Sequence, residues 1–298
     1  MNSSTEGISI IIPVYKDLEG LKLTVSDLRK SNIPVDFEII ICNDGANRLI
    51  SDWLKDQGLK EIRISKQKGS YHARNQGIKQ AKLKWLLFVD AGVRIKPNWY
   101  ELINKKIERN SYLAFDINLD IYTKTGLLKQ YSQFVEFRCK TYWEQNHFGP
   151  TAFLLAEKRL FEETGLFNSD LLSGGDFEFG NRCWHAGFKM SFVENEHIFH
   201  EPRSLWAKYK KQVRVLQGIK QIKRLYSNRM MNLPEVTLLE LLKGPLKFLY
   251  TIKRIKKQPA FTEGNWPWQK VLWAEFWHQK MYYWALLTVL TTNRARFE

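Results

Sequence analysis

Continuous apolar runs, each closed by a polar turn, dominate the first third of the chain. Ile8 to Tyr15 (ISIIIPVY) is β-branched and unbroken, which predicts a strand buried on both faces. From Asp17 to Lys30, Leu18, Leu21, Val25 and Leu28 recur at helical spacing. Phe37 to Gly45 (FEIIICNDG) predicts a second buried strand ending in polar residues and a glycine turn. A helix over Arg48 to Gln57, a strand over Leu59 to Ser65, a glycine-led turn into the helix of GSYHARNQGIKQAKLK and a strand over Trp85 to Val93 follow. Four strand–helix alternations predict an α/β fold with a Rossmann-like, mainly parallel sheet flanked by helices. In such sheets ligands bind beyond the carboxyl ends of the strands. That puts Asn43, Asp44 and Asp90 on the ligand side.

After Ile95 the pattern loosens into short strands and loops, including an aromatic stretch from Tyr131 to Phe148. PTAFLLAEKRLFEETGLFN reads as a strand and a short helix, and MSFVENEHIFHEP as one strand ending in His197 and His200. Between them, LLSGGDFEFGNRCWHAGF (Leu171 to Phe188) sets two glycines before two carboxylates and an arginine. Ser173 and Asp176 stand at capping-box spacing. Glu178 and Arg182, four apart, suit an ordinary surface ion pair.

Charge changes the picture of the rest. The chain has 298 residues, 44% of them hydrophobic, and a net charge of +15. From Leu205 to Glu298 there are 18 Lys and Arg against 5 Asp and Glu, or +13, leaving +2 for the first 204 residues. The expected organisation is an α/β domain over residues 1–218 and a basic, aromatic-rich helical extension over 219–298. Six of the 11 tryptophans lie beyond Leu205, mixed with lysines, which suits peripheral contact with an anionic membrane surface. The apolar run MYYWALLTVLTT is too short to span a bilayer. Packing on the first domain or an oligomer interface is the alternative use of these helices. The basic residues match no nucleic-acid module, so no nucleic-acid partner is expected. Three scattered cysteines give no disulfide framework and no C-x-x-C zinc pair, and Cys42 and Cys183 read as core. The N-terminus lacks a signal-peptide pattern. The expected location is cytoplasmic, with peripheral contact at the inner face of the membrane.

In order, SIIIPVY, EIIICNDGAN, GSYHARNQGIKQAKLKWLLFVDAG and SGGDFEFGNRCWHAGF resemble a family 2 glycosyltransferase of the GT-A fold over about residues 7 to 218. The resemblance implies an inverting enzyme that moves a sugar from a nucleotide-sugar donor, expected to be a UDP-sugar, to a hydroxyl of a glycan or lipid-linked acceptor. It gives Asp44 the uracil contact, and Pro13 and Tyr15 the loop beside base and ribose. Arg74 and Asn75 match the segment that closes over the nucleotide. Asp90 matches the first acid of the D-x-D motif, but the third position is Gly92, which leaves one carboxylate for a Mg²⁺ or Mn²⁺ ion. His200 matches a position that approaches the metal, and Lys208, Lys211 and Arg214 offer charge for the diphosphate. Asp176 falls on the general base, with Gly175 in place of the acid before it. Glu178 is an acceptor-hydroxyl ligand or a support, with Arg182 as its partner. His72, His185 and His197 match no such position and read as structural. A nucleotidyltransferase would need a glycine-rich, lysine-bearing signature after the first strand, and IPVYKDLEG lacks one. Gly92 and Gly175 keep open a catalytically impaired nucleotide- or glycan-binding protein.

Overall fold

The apolar run at the start of the chain becomes strand β1 (Thr5–Val14), in which Ile10, Ile11 and Ile12 are fully buried. Each such side chain withdrawn from water contributes about 1.5–3 kcal/mol. The computed structural model of the chain describes residues 5–103, 106–119, 126–226, 233, 235–262 and 266–291. Helix α1 (Leu18–Lys30), β2 (Phe37–Asp44), α2 (Arg48–Asp56), β3 (Lys60–Ile64), α3 (Ser70–Gln80) and β4 (Leu83–Val89) follow in the expected order. β1 runs parallel to both β2 and β4, and β2 parallel to β3, so the carboxyl ends of all four open on one edge. Asp44 closes β2 and Asp90 follows β4 on that edge.

The later part of this unit departs from plain alternation. It continues with β5 (Arg94–Ile95), β6 (Tyr112–Phe115) and β7 (Asn118–Leu119). After helix α4 (Leu127–Val135) come α5 (Cys139–Asn146), β8 (Phe153–Glu157), α6 (Lys158–Thr164), α7 (Gly175–His185), β9 (Met190–Val193) and β10 (Ile198–His200). One sheet has the order β3-β2-β1-β4-β8-β6-β9, in which β8 runs antiparallel to both its neighbours. The sheet is therefore mixed and mainly parallel. A smaller sheet has the order β5-β10-β7. The single strand expected after Met190 is two strands in two sheets, with His197 between them. Much of the aromatic stretch expected as loops and strands is helical: Tyr131 and Phe134 bury one face of α4.

The chain forms two units, one of residues 1–118, 138–171 and 175–200, the other of residues 119–137, 172–174 and 201–298. The second unit is helical: α4, then α8 (Leu205–Tyr226), α9 (Leu239–Leu242), α10 (Gly244–Ile255), α11 (Pro259–Thr262) and α12 (Trp268–Thr291). Tyr209, Val213 and Leu216 of α8 pack with Ala285, Leu286 and Val289 of α12. A second cluster joins Tyr131 and Phe134 of α4 to Ile252, Ile255, Val271 and Ala274. The composition changes at Gly218, but that residue lies inside α8, so the helix runs through the expected division. Among the described residues no helix is long and apolar enough to cross a membrane.

Candidate functional site

Tyr71 and Arg74 stand three residues apart on α3 and so share one face of the helix. Arg74 is almost fully buried and its guanidinium pairs with the carboxylate of Asp90, at the end of β4. The same guanidinium lies over the Tyr71 ring, 5.7 Å from its centroid. The Tyr71 hydroxyl donates to Asp176 Oδ1 at 3.4 Å. Asp90, Arg74, Tyr71 and Asp176 thus form one continuous line of contacts across the carboxyl edge of the parallel strands. Burial pushes the Asp176 carboxyl above the usual carboxylate range, while the Phe177 amide, the Arg74 charge and a backbone hydrogen bond at Thr151 pull it back. Burial, and then the Asp176 charge, push the Tyr71 hydroxyl up. Tyr71 was not among the residues that sequence reasoning singled out. Its i,i+3 spacing to Arg74 was the available signal.

The two glycines that replace family acids have different reasons. A Cβ on Gly175 would stand 2.9 Å from the Tyr71 ring, so that ring fills the space where a preceding acid would project. Gly92 has φ +88°, in the left-handed region, and its N–H donates to Thr24 Oγ1 at 3.0 Å. The Asp176 carboxylate accepts from the amide of Phe177 at 3.0 Å.

Other expected residues brace the site. Both oxygens of Asp44 accept backbone amides, of Lys68 and Gly69, at 2.8 Å each, which fixes the turn leading into α3. Pro13 is buried in β1 beside Cys42, and the half-exposed Tyr15 ring lies against Gly45. The Asn75 amide clamps the backbone of Phe167 through bonds of 2.8 and 3.1 Å. Glu178 and Arg182 do pair, but not at the surface. Glu178 is 1% exposed and takes Arg182 Nε at 2.6 Å and Nη2 at 3.0 Å. Arg182 also donates to the carbonyls of Thr164, Gly165 and Leu166, tying α7 to the turn after α6. Cys42 and Cys183 are buried core thiols, each pushed up to about 12 by that burial.

In the second unit, Lys208 Nζ donates to the Leu128 carbonyl at 3.2 Å and to Ser132 Oγ, and pairs with the Glu136 carboxylate at 2.9 Å. Lys211 lies over the Phe137 ring, and Arg214 is exposed on α8. His200 ends β10, whose antiparallel register sets Phe199 against Arg94 of β5. Among the described residues no group of three or more His, Cys, Asp or Glu is placed to hold a metal ion. With Arg74 on Asp90 and a left-handed glycine at position 92, the residues do not fit a divalent ion held by protein ligands alone.

Comparison with known proteins agrees with this fold. The chain is 26% identical over 230 residues to "Glycosyltransferase AglE" of Haloferax volcanii, covering 74% of this chain and 76% of that one. Its fold matches a mannosyltransferase of Pyrobaculum calidifontis, PcManGT, solved with GDP-Man and Mn²⁺. There the TM-score is 0.64 at 11% identity, with 97% of this chain and 88% of the other covered. S. aureus TarS 1-349, solved with UDP-GlcNAc, matches with a TM-score of 0.53 at 15% identity over 98% of this chain and 93% of its own. The model of the family "Glycosyl transferase family 2" matches residues 9–166, more than half of the chain. The chain belongs to glycosyl transferase family 2 and is a glycosyltransferase of GT-A-like fold.

Proposed function

We propose that this glycosyltransferase, which acts on nucleotide sugars, takes a UDP-sugar and transfers the sugar with inversion to a hydroxyl of a glycan or lipid-linked acceptor, in the building of a surface polysaccharide. The observation that carries the reading is the line Asp90–Arg74–Tyr71–Asp176 at the carboxyl edge of β1 to β4. In this proposal Asp176 is the general base. It takes the acceptor hydroxyl's proton as that oxygen bonds to the anomeric carbon, and the bond from that carbon to the diphosphate breaks on the opposite face. A carboxyl raised by burial suits the role, because a base close to the working pH is the most effective. The Asp90–Arg74 pair, and the turn anchored by Asp44, belong to the donor side. The described residues offer too few ligands for a divalent ion to be given a step of its own. Gly175 does not argue for lost catalysis, since the Tyr71 ring stands in its space and reaches the next residue's carboxylate.

Calorimetric titration with UDP, GDP and CDP, with and without Mn²⁺, tests the donor class. UDP is expected to bind, with Mn²⁺ changing the affinity by about tenfold or less. Preference for GDP would move the donor to the class seen in PcManGT. Asp176→Asn is expected to lower turnover by about 10²–10⁴-fold with UDP affinity retained. Normal turnover in that variant would remove Asp176 from the role.

A further inference from the structure

Helix α12 is amphipathic in an unusual sense. Its buried side carries Val271, Ala274, Glu275, Ala285, Leu286 and Val289. Its solvent side carries Leu272, Trp273, Phe276, Lys280, Trp284 and Leu287, at helical spacings of three and four. A helix facing water on that side normally presents charge there. α10 repeats the pattern: Leu246, Leu249 and Tyr250 are exposed, and the exposed lysines 253 and 257 continue the same face. Between the two helices lies an open groove of about 690 Å³ whose walls include Phe248, Phe276, Tyr283, Trp284 and Leu287.

We infer that the solvent faces of α10 and α12 dock on an anionic phospholipid bilayer, with one acyl chain entering the groove between them. This goes beyond the transfer reaction and does not depend on it. Two observations select this occupant. The first is charge: α10 contains no acidic residue, and the acid of α12, Glu275, is fully buried, so the surface is cationic and apolar with no exposed carboxylate on either helix. Anionic headgroups complement such a face. The second is residue type. Tryptophan and tyrosine with flanking lysine suit the boundary between acyl chains and headgroups, and Lys280 lies over the rings of Phe276 and Trp277 with its ammonium at the rim. At 24 residues α12 is about 36 Å long, so it presents the stripe to a bilayer by lying in the interface plane.

The test is flotation of the full chain with vesicles of phosphatidylcholine alone and with phosphatidylglycerol added, at low and high salt. The chain is expected to float with the anionic vesicles, to be released by salt, and to show a blue-shifted tryptophan emission when bound. Lys253→Glu/Lys257→Glu is expected to weaken binding by about thirtyfold or more, since each lysine near the surface contributes about fivefold. Phe276→Ser/Trp284→Ser is expected to abolish binding to anionic vesicles, with thermal unfolding and UDP affinity like those of the parent as controls of folding. No binding to anionic vesicles, or undiminished binding by both variants, would overturn the inference. So would a parent that is dimeric by light scattering and becomes monomeric in Phe276→Ser/Trp284→Ser, because the face would then belong to a second copy.

Discussion

A methyl group added at Gly175 would stand 2.9 Å from the Tyr71 ring and displace the side chain that reaches Asp176. Overpacking of this kind costs about 1–3 kcal/mol. Gly175→Ala is therefore expected to lower both thermal stability and kcat while leaving UDP affinity within about twofold of the parent. Adding Tyr71→Ser removes the clash but also the ring's packing on Phe167, so it should restore neither the stability, because of the cavity left, nor the rate, because the hydroxyl contact at Asp176 is gone. A stability unchanged by Gly175→Ala would mean that the ring shifts without cost. At this scale the strand end before Asp90 and the helix start at Asp176 were legible from their motif positions. The partner of Asn75 and the burial of Glu178 were not. Asn75's partner, Phe167, is 92 residues away, and Glu178 is buried beside Arg182, which donates to a carbonyl of the turn after α6. The i,i+4 spacing shows the Glu178–Arg182 pair but not its burial.

Helices α8 and α4 are joined by Lys208 and Glu136, whose side chains are 12% and 11% exposed. Burial pushes the Glu136 carboxyl up, but Lys208 first, then Lys211 and Arg203, outweigh it and hold the group below its usual range. The pair thus adds stability that is present above the ordinary carboxylate pKa and lost as pH falls through the lowered one. Removing one partner of a buried pair costs about 3–5 kcal/mol. Lys208→Met is expected to lower the unfolding free energy by about 3 kcal/mol at neutral pH, with a smaller difference in acid, and to leave UDP affinity unchanged. A large loss of UDP affinity at parental stability would return Lys208 to the diphosphate. The elements themselves divide by length. β1, β2 and β4 were legible as apolar runs, since strands covered on both faces are continuously hydrophobic, whereas the edge strand β3 (KEIRI) keeps charged residues beside its two isoleucines. β5, β7 and β10 have two or three residues each, too few to show a period. α4 was hidden because its aromatic residues suit strand and helix alike.

Over the whole chain, 46 basic residues face 31 acidic ones, so acid adds to an already positive molecule and destabilises it by repulsion. Among the described residues burial holds three carboxyls above their usual range: Asp116, Asp176 and Glu275. A raised carboxyl contributes stability that is full below its ordinary pKa and is lost as pH rises through the raised one. Glu275 tests this most cleanly, since it is 0% exposed and lies outside the proposed catalytic line. Its carboxylate accepts the Tyr131 hydroxyl and the Gln279 amide, the latter at 2.6 Å. Both bonds survive in Glu275→Gln, because the new amide oxygen still takes the Tyr131 hydroxyl and the Gln279 amide can turn to offer its oxygen. What the substitution removes is the cost of a buried charge. Glu275→Gln is therefore expected to raise Tm by about 2–4 °C at neutral pH, the shift that about 1 kcal/mol gives in a domain of 150–250 residues. The gain should vanish as pH falls below the ordinary glutamate value, where the parent carboxyl is protonated too. Thermal unfolding of both proteins across that range measures it, and a variant less stable than the parent at neutral pH would mean that the ionised Glu275 is held by more than it costs.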